Sequence, residues 1–408
     1  MYKTQKNHIR CDKQTYKLLR MLCHFSKNLY NYALYHIRQH YFKTQEYLPY
    51  ESVYHLVKEN ENYRLLPSQV AQQTLISVDE AFKSFLSLLK AKKEGRIDKK
   101  ISIPTYLPKE GMYQIVFPKD QFKVEGNKLR LSLGRNFYKE FGVRYLYFDL
   151  PQNIRGKKIK EVRIVPRFHG KWFEIEYVYE EEEEEEQNYN LDKSRYLSID
   201  LGLDNFAAVV DTIGTAFLIE GRYIKSVNRW YNKQKARLQS IYSKQNIKYG
   251  KRLARICLRR QHIIDNFLNQ AVNYIIKHCL NNQIGTVVIG EMKDIKQKIN
   301  LGVVNNQNFV NIPYERFKRK LEAKCEYYGL EYVEVDESYT SQRCNRCGTV
   351  EKSNRKHRGL YVCKDCGYVV NADINGALNI LAKVAGESAK KQIVSSGCVN
   401  HPVRIRVA

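Results

Sequence analysis

The sequence predicts a multidomain α+β protein built in two halves. A small β-barrel interrupted by a helical insertion comes first, and an α/β domain carrying a metal-binding ribbon follows. Three observations predict this. Apolar residues recur at steps of three and four between Leu18 and Leu89, then alternate in short strands from Ile101, so the period switches once, early in the chain. Seven consecutive glutamates, Glu180–Glu186, divide the chain, because like charges at that density repel and bury no apolar surface. Beyond them, Tyr196–Asp211 places Ile199, Leu201 and Leu203 on one face and Ser198, Asp200 and Gly202 on the other, as in a strand that opens a sheet.

Taken in order, residues 1–11 read as a short basic strand. Asp12 is placed to cap a helix in which Leu18, Leu22, Phe25, Leu29, Tyr32 and His36 form one stripe. A second helix covers Tyr50–Lys58. A third follows Pro67-Ser68, with Val78, Phe82, Phe85 and Leu89 on one side and a basic end, Lys90-Ala-Lys-Lys93. Residues 12–99 are therefore a helical domain. Short strands are expected at Ile101–Ile103, Tyr113–Phe117, Gln121–Val124, Lys128–Leu133, Lys158–Pro166 and Trp172–Tyr179, with Glu125-Gly-Asn127 as a hairpin turn. They predict a barrel over residues 100–179 that recruits the strand of residues 1–11 across the helices. Residues 180–190 are the acidic linker.

In the second half, Phe206–Val210 and Ala216–Ile219 continue the sheet through a turn at Asp211-Thr-Ile-Gly214. Arg222–Asn281 is a long helical stretch with a break near Tyr249-Gly250 and basic clusters at Lys233–Arg237, Lys251–Arg255 and Arg259-Arg260. Its later part carries an apolar face of Ile264, Phe267, Leu268, Ala271, Tyr274 and Ile275. Gly285–Glu291 is a buried strand with a carboxylate at its C-terminal edge, Pro313–Tyr328 a helix and Leu330–Val335 a further strand. Three strands, helix, strand, helix, strand is an α/β pattern with the meander first.

Composition narrows the partner class. A chain of 408 residues exceeds one ordinary domain, and 69 Lys+Arg against 43 Asp+Glu give a net charge of +26, which points to a polyanion. No basic amphipathic anchor stands at a terminus to suggest a membrane surface. Many of the 31 tyrosines lie among lysines and arginines, where an aromatic face beside a cation suits stacking on unpaired bases, although most are expected in cores. No apolar run approaches the roughly 18 residues of a membrane span. Met1–His8 lacks a signal-peptide core. Cys11, Cys23, Cys257, Cys279, Cys325 and Cys398 are scattered like small buried hydrophobes instead of a disulfide framework. The expected compartment is reducing, most simply a cytoplasm.

Two constellations carry chemistry. Cys344-Asn-Arg-Cys347 and Cys363-Lys-Asp-Cys366 are separated by 15 residues and each is followed by glycine. Two such knuckles place four thiolates around one Zn²⁺, a closed and therefore structural shell over residues 341–370. The basic loop between them, Glu351–Arg358, is a candidate nucleic-acid contact. Three carboxylates form the second constellation: Asp200 in the opening strand, Glu291 ending the fourth and Asp373 starting the last helix. In a ribonuclease-H-like sheet those positions converge on one cleft. Crowded carboxylates repel unless cations neutralise them, as two Mg²⁺ about 4 Å apart would, with Mn²⁺ able to substitute. One ion activates water for attack on a phosphodiester and the other stabilises the leaving oxygen. Read singly, Asp200 is a solvated strand residue and Asp373 a helix cap.

Ser198-Ile-Asp-Leu-Gly202, Ile289-Gly-Glu291, Thr340-Ser-Gln-Arg-Cys-Asn-Arg-Cys-Gly348, Tyr361-Val-Cys-Lys-Asp-Cys-Gly367 and Asn371-Ala-Asp-Ile-Asn-Gly-Ala-Leu-Asn-Ile380 together resemble the motifs of the TnpB family. These are insertion-sequence-encoded nucleases related to compact type V CRISPR effectors. The match covers roughly residues 195–385 at motif level, and the first half resembles the family in layout. Two positions depart from the pattern. Met292 follows Glu291 where relatives commonly have an acidic residue, and Asn371 stands where many have aspartate. The resemblance implies a wedge barrel (1–11 and 100–179) with an inserted recognition domain, then a RuvC-like nuclease domain (191–340 and 371–385) with an inserted zinc ribbon, and a C-terminal tail (386–408). It implies an RNA-guided endonuclease that pairs a transposon-derived guide RNA with double-stranded DNA beside a short target-adjacent motif, as a monomeric ribonucleoprotein without membrane attachment. Asp200, Glu291 and Asp373 would be catalytic, and Cys344, Cys347, Cys363 and Cys366 the zinc ligands. The competing readings are a nuclease-inactive RNA-guided repressor, a transposase acting without guide RNA, and a zinc-ribbon protein that only binds RNA. The first should lack a carboxylate, and the last leaves all three unexplained.

Overall fold

A computed structural model describes residues 2–181, 189–291, 312–357, 359–395 and 397–407. The chain divides into two compact units, Met1–Glu184 and Glu185–Ala408.

The first unit runs β1 (Tyr2–His8), α1 (Lys13–Thr44), α2 (Tyr50–Val57), α3 (Glu61–Leu65), α4 (Ser68–Lys93), β2 (Ile115–Pro118), β3 (Phe122–Glu125), β4 (Lys128–Ser132), α5 (Arg135–Phe141), β5 (Tyr145–Asp149), β6 (Lys158–Arg167) and β7 (Trp172–Glu180). Asp12 caps α1 by accepting a hydrogen bond from the Thr15 amide at 2.8 Å. Leu19, Leu22, Leu34, Val78 and Phe82 then meet in one core with Ile115, Phe117 and Ile164 from the strands. The N-terminal strand is recruited across the helices as expected, with β1 antiparallel to β7 from Tyr2 opposite Glu180 to His8 opposite Glu174.

Several expectations need correction here. The strands form two sheets, β1-β7-β6-β2 and β3-β4-β5, in place of one barrel. Pro118 ends β2 without an N–H to offer, and Lys119–Gln121 winds as a 3₁₀ turn that carries the chain to the second sheet. Ile101–Ile103 forms no strand. Pro104 follows it, and the Pro104 carbonyl accepts instead from the Arg38 guanidinium at 3.1 Å. The expected linker begins too early, because Glu180 still belongs to β7. There Lys158 and Lys160, at 2.9 and 3.1 Å, hold its carboxyl down to about 2. Residues 182–188 of the linker lie outside the described residues.

The second unit runs β8 (Asp192–Leu201), β9 (Asn205–Asp211), β10 (Ala216–Glu220), α6 (Arg222–Lys244), α7 (Lys251–Asn281), β11 (Ile284–Glu291), α8 (Tyr314–Tyr328), β12 (Glu331–Asp336), β13 (Arg355–His357), β14 (Leu360–Val362), β15 (Val369–Val370), α9 (Ala372–Ser395) and β16 (Val403–Ile405). Its main sheet has the order β12-β11-β8-β9-β10-β16. The meander β8-β9-β10 is antiparallel, while β11 lies parallel to β8 and β12 parallel to β11. Alternation sorts the faces. Ile199, Leu201, Val287 and Ile289 pack with Phe267, Leu268, Phe317 and Leu321 of α7 and α8, whereas Ala208, Val210 and Leu218 pack with Ala377, Leu378 and Leu381 of α9. The tail, in which no period is legible, is not a free appendage. Helix α9 breaks at Gly386 (φ +84°) and resumes in a second segment to Ser395, Val399 is buried, and β16 adds a parallel edge strand to β10.

Cys23, Cys279 and Cys325 are buried as expected, but Cys11 is exposed and Cys257 only half-buried. The side chain of Cys398 lies outside the described residues. Among those residues no helix is long and apolar enough to cross a membrane.

Candidate active site and metal centre

The strand pattern that exposed Asp200 in the sequence also fixes its surroundings. With Ile199 turned into the α7/α8 core, Asp200 faces α9. That helix is tied to β8 by the Ser198 hydroxyl, which donates to the Ala377 carbonyl at 2.9 Å. A side chain at position 376 would push Asp200 aside, since a Cβ there would overlap Asp200 Oδ2 and stand 3.0 Å from its Cγ. On the neighbouring strand Ile289 pairs with Ile199, which sets Gly290 beside Asp200 on the same face. Glu291, the last residue of β11 and in register with Asp336 of β12, is one step beyond, so alternation turns it to the face opposite Asp200, and the charges acting on Asp200 do not include it. Met292 lies outside the described residues.

Asp373 reaches the same face from the first turn of α9. Helix capping is done by Asn371, whose Oδ1 accepts from the amides of Asp373 and Ile374 at 3.0 and 3.3 Å. The side chain of Asp373 is thereby released for other partners. Its Oδ2 accepts from Asn205 Nδ2 and its Oδ1 from Arg355 Nη2, both at 2.8 Å. Asn205 is 7% exposed and has its own oxygen turned to Arg404 at 3.5 Å. None of Asn205, Arg355 or Arg404 is marked in the sequence by a motif of its own.

Charge couples Asp200 to Asp373 and to a further carboxylate. The carboxyl of Asp200 is pushed well above the ordinary range, first by burial, then by the charges of Asp373 and Glu337, with Arg355 pulling the other way. Glu337, just beyond β12, is itself pushed up to about 7 by burial and Asp336, against the opposing pull of Lys318 and Lys383. Sequence reading missed Glu337. The only signal was an acidic pair following the strand expected at Leu330–Val335. Among the described residues neither Asp200 nor Glu337 accepts a hydrogen bond or ion pair with its side chain. Half-buried carboxylates that face one another without donors offer hard oxygen ligands, which suit Mg²⁺ or Mn²⁺. The donor set and the glycines that clear room for it fit a divalent-metal site.

The second constellation closes as its spacing predicts. Cys344, Cys347, Cys363 and Cys366 bring their sulfurs within 4.8 Å of one another, with Cys344–Cys366 at 3.7 Å and Cys347–Cys363 at 3.5 Å. Tetrahedral Zn–S bonds of about 2.3 Å put sulfurs roughly 3.8 Å apart, so the cluster could hold zinc with little adjustment. Gly348 (φ +84°) and Gly367 (φ +67°) let each knuckle turn back, their amides donating to the Cys344 and Cys363 carbonyls at 3.0 Å. The Arg355 that meets Asp373 belongs to β13 of this ribbon.

A basic surface lies in the same unit. Helices α6 and α7 pack together and expose Arg229, Lys233, Arg237, Lys251, Arg252, Arg255 and Arg259. Arg259 lies over the ring of Trp230 at 5.3 Å, and Arg260 over Tyr231 at 4.9 Å.

The family OrfB_IS605, described as probable transposase, matches residues 176–296, and the Cas12f1-like TNB domain matches residues 314–380. The TnpB-like protein ORF457 of Acidianus two-tailed virus is 29% identical over 399 residues, covering 90% of this chain and 83% of its own. InsQ of Escherichia coli strain K12, described provisionally as an RNA-guided DNA endonuclease, is 26% identical over 394 residues, covering 90% and 89%. Among solved structures, Cas12f1 in a complex with sgRNA and target DNA is similar in fold, with a TM-score of 0.62 at 15% identity over 90% of this chain and 83% of that one.

Proposed function

From the place of this chain in the TnpB family of OrfB_IS605- and Cas12f1-like proteins, we propose that it is an RNA-guided DNA endonuclease that hydrolyses phosphodiesters with two Mg²⁺ ions. One observation carries the reading. Asp200, at the C-terminal end of β8, lies against Gly376 of α9 one helical turn from Asp373, so two carboxylates distant in sequence meet at one edge of a sheet ordered β12-β11-β8-β9-β10-β16, which suits a ribonuclease-H-like (RuvC) domain. Asp200 and Asp373 are the assigned metal ligands, with Glu291 assigned on the family resemblance alone, since alternation turns it to the other face of β11. Metal ions held by these residues would lower the pKa of a water and neutralise charge on the leaving oxygen.

The remaining roles fall to residues of the chain. Asn205 fixes the Asp373 carboxylate by donating to one oxygen, which leaves the geometry of the other to Arg355. Arg355 brings a cation from the ribbon to the cleft, where a passing phosphate would compete for it. The Tyr314 hydroxyl donates to the Gly202 carbonyl at 2.7 Å and holds the turn that follows Asp200. Zinc in the four-cysteine shell, having no open position, serves the ribbon's fold.

The charge of +26, with the basic faces of α6 and α7, suits a guide–target heteroduplex held by its backbone. Sequence would be read by a transposon-derived guide RNA and by protein contacts to a short motif beside the target. The reading extends to a monomeric ribonucleoprotein acting in the cytoplasm. The test is cleavage of a matched plasmid by the purified ribonucleoprotein. It should require Mg²⁺ or Mn²⁺ and fail with Asp200→Ala. Cleavage that survives complete removal of RNA would favour a guide-free transposase, and guided binding without any cleavage would favour a repressor.

A further inference from the structure

We propose that Glu337 is a fourth carboxylate ligand of the divalent-metal site, standing beside Asp200 across Gly290. The inference rests on the reading of that cleft as a metal site. The path of the chain brings Glu337 there. Strand β12 runs parallel to β11 and ends at Asp336, at the same sheet edge as Asp200 and Glu291. The Glu337 carbonyl then accepts from the Thr340 amide at 3.2 Å and hydroxyl at 2.8 Å, which closes the turn immediately after the strand.

The side chain lies back over the sheet. A Cβ at position 290 would fall on Glu337 Oε2 and stand 3.3 Å from Glu337 Cβ and 3.2 Å from Ile380 Cδ1. Glycine at 290 is thus what lets this carboxylate lie against β11, next in register to Asp200. Glycine at 376 does the same for Asp200 from the helix side, so two missing side chains clear one pocket around two carboxylates.

The charges that face Glu337 are Asp200, Asp336, Lys318 and Lys383. A structural ion pair would need one of the lysines. Lys318, 4% exposed, is instead bonded to Glu334 at 2.9 Å, and Lys383 donates to the Asp336 carbonyl. Two half-buried carboxylates left facing each other without donors need a shared proton or a cation between them, and the room that Gly290 and Gly376 leave admits a cation.

The test uses the full chain with its ribbon zinc retained and other divalent ions removed. Mn²⁺ binding is titrated by electron paramagnetic resonance for wild type, Asp200→Asn, Glu337→Gln and Gly290→Ala. Each variant should weaken binding about tenfold or more. With no divalent ion added beyond the ribbon zinc, Mn²⁺ should raise the melting midpoint of wild type and leave Asp200→Asn and Glu337→Gln nearly unmoved. Wild-type Mn²⁺ binding by Glu337→Gln, with binding lost in Asp200→Asn, overturns the assignment of Glu337 and leaves the cleft a metal site. Unchanged binding in Asp200→Asn overturns the reading of the cleft itself. A Glu337→Gln chain that melts below wild type, or fails to fold, marks Glu337 as a structural partner of the lysines and equally overturns the assignment.

Discussion

Gly376→Ala puts the geometry of the cleft to a direct test. Gly376 is the fifth residue of α9, inside the helix, where alanine ordinarily stabilises by about 1 kcal/mol over glycine. Here the new Cβ would stand 3.0 Å from Asp200 Cγ and overlap Oδ2. Carbon atoms rest at about 3.5–4.0 Å, so the carboxylate must retreat by roughly 0.5–1 Å. Because it is the far end of a side chain, it can rotate away without moving β8. The helix-propensity gain and the repacking cost, about 1–3 kcal/mol for an overpacked site, therefore nearly offset each other. The net stability change should stay within about 2 kcal/mol, but a ligand displaced by about 1 Å should cost about 100-fold in rate. The assay pairs single-turnover cleavage of matched DNA at saturating Mg²⁺ with urea unfolding of the same preparation. A variant that cleaves at the wild-type rate while gaining about 1 kcal/mol would refute the placement of Asp200 against α9.

Other outcomes follow from named contacts. Asn205→Ala removes a buried hydrogen bond to the Asp373 carboxylate, worth about 1.5–3 kcal/mol, so urea unfolding should show a loss of about that size and single-turnover cleavage should fall about tenfold or more. His278→Ala leaves Asp211, fully buried, with the amides of Ile213 and Thr215 but without its 2.8 Å bond to His278 Nε2; unfolding by urea should show a loss of about 1–3 kcal/mol. Cys363→Ser opens the four-sulfur shell, and elemental analysis should show the single zinc lost with a lower melting midpoint. Charge reversal at Lys251 and Arg255 on α7 should lower the salt dependence of guide-RNA binding by about one unit of log–log slope per lost phosphate contact, read by filter binding.

Local physics made much of this legible in advance. Asp12 caps α1 because a short carboxylate ahead of an apolar stripe satisfies open amides wherever it occurs, and the cysteine knuckles announce their geometry by spacing alone. The strand of Asp200 was readable because an unpaired carboxylate among alternating apolar residues interrupts a pattern. Expectations failed where a neighbour overrode the local signal. Ile103 alternates like a strand, but Pro104 removes the donor a ladder needs, and Glu180 sits in a repelling run yet stays in β7 because Lys158 and Lys160 neutralise it.

The sequence by itself determined the two-part organisation, the four cysteines that cluster, and the carboxylates Asp200, Glu291 and Asp373 as candidates for one site. Only the tertiary structure decided what surrounds them. Strand order brings the turn after β12 to Asp200 and thereby introduces Glu337; the ribbon swings Arg355 onto Asp373; the meander lends Asn205; and the tail returns as β16 beside β10. The physical reason is that periodicity encodes only which face a residue takes within its own element. Which elements become neighbours is set by burial and hydrogen bonding summed over the whole sheet, and no single stretch of sequence carries that sum.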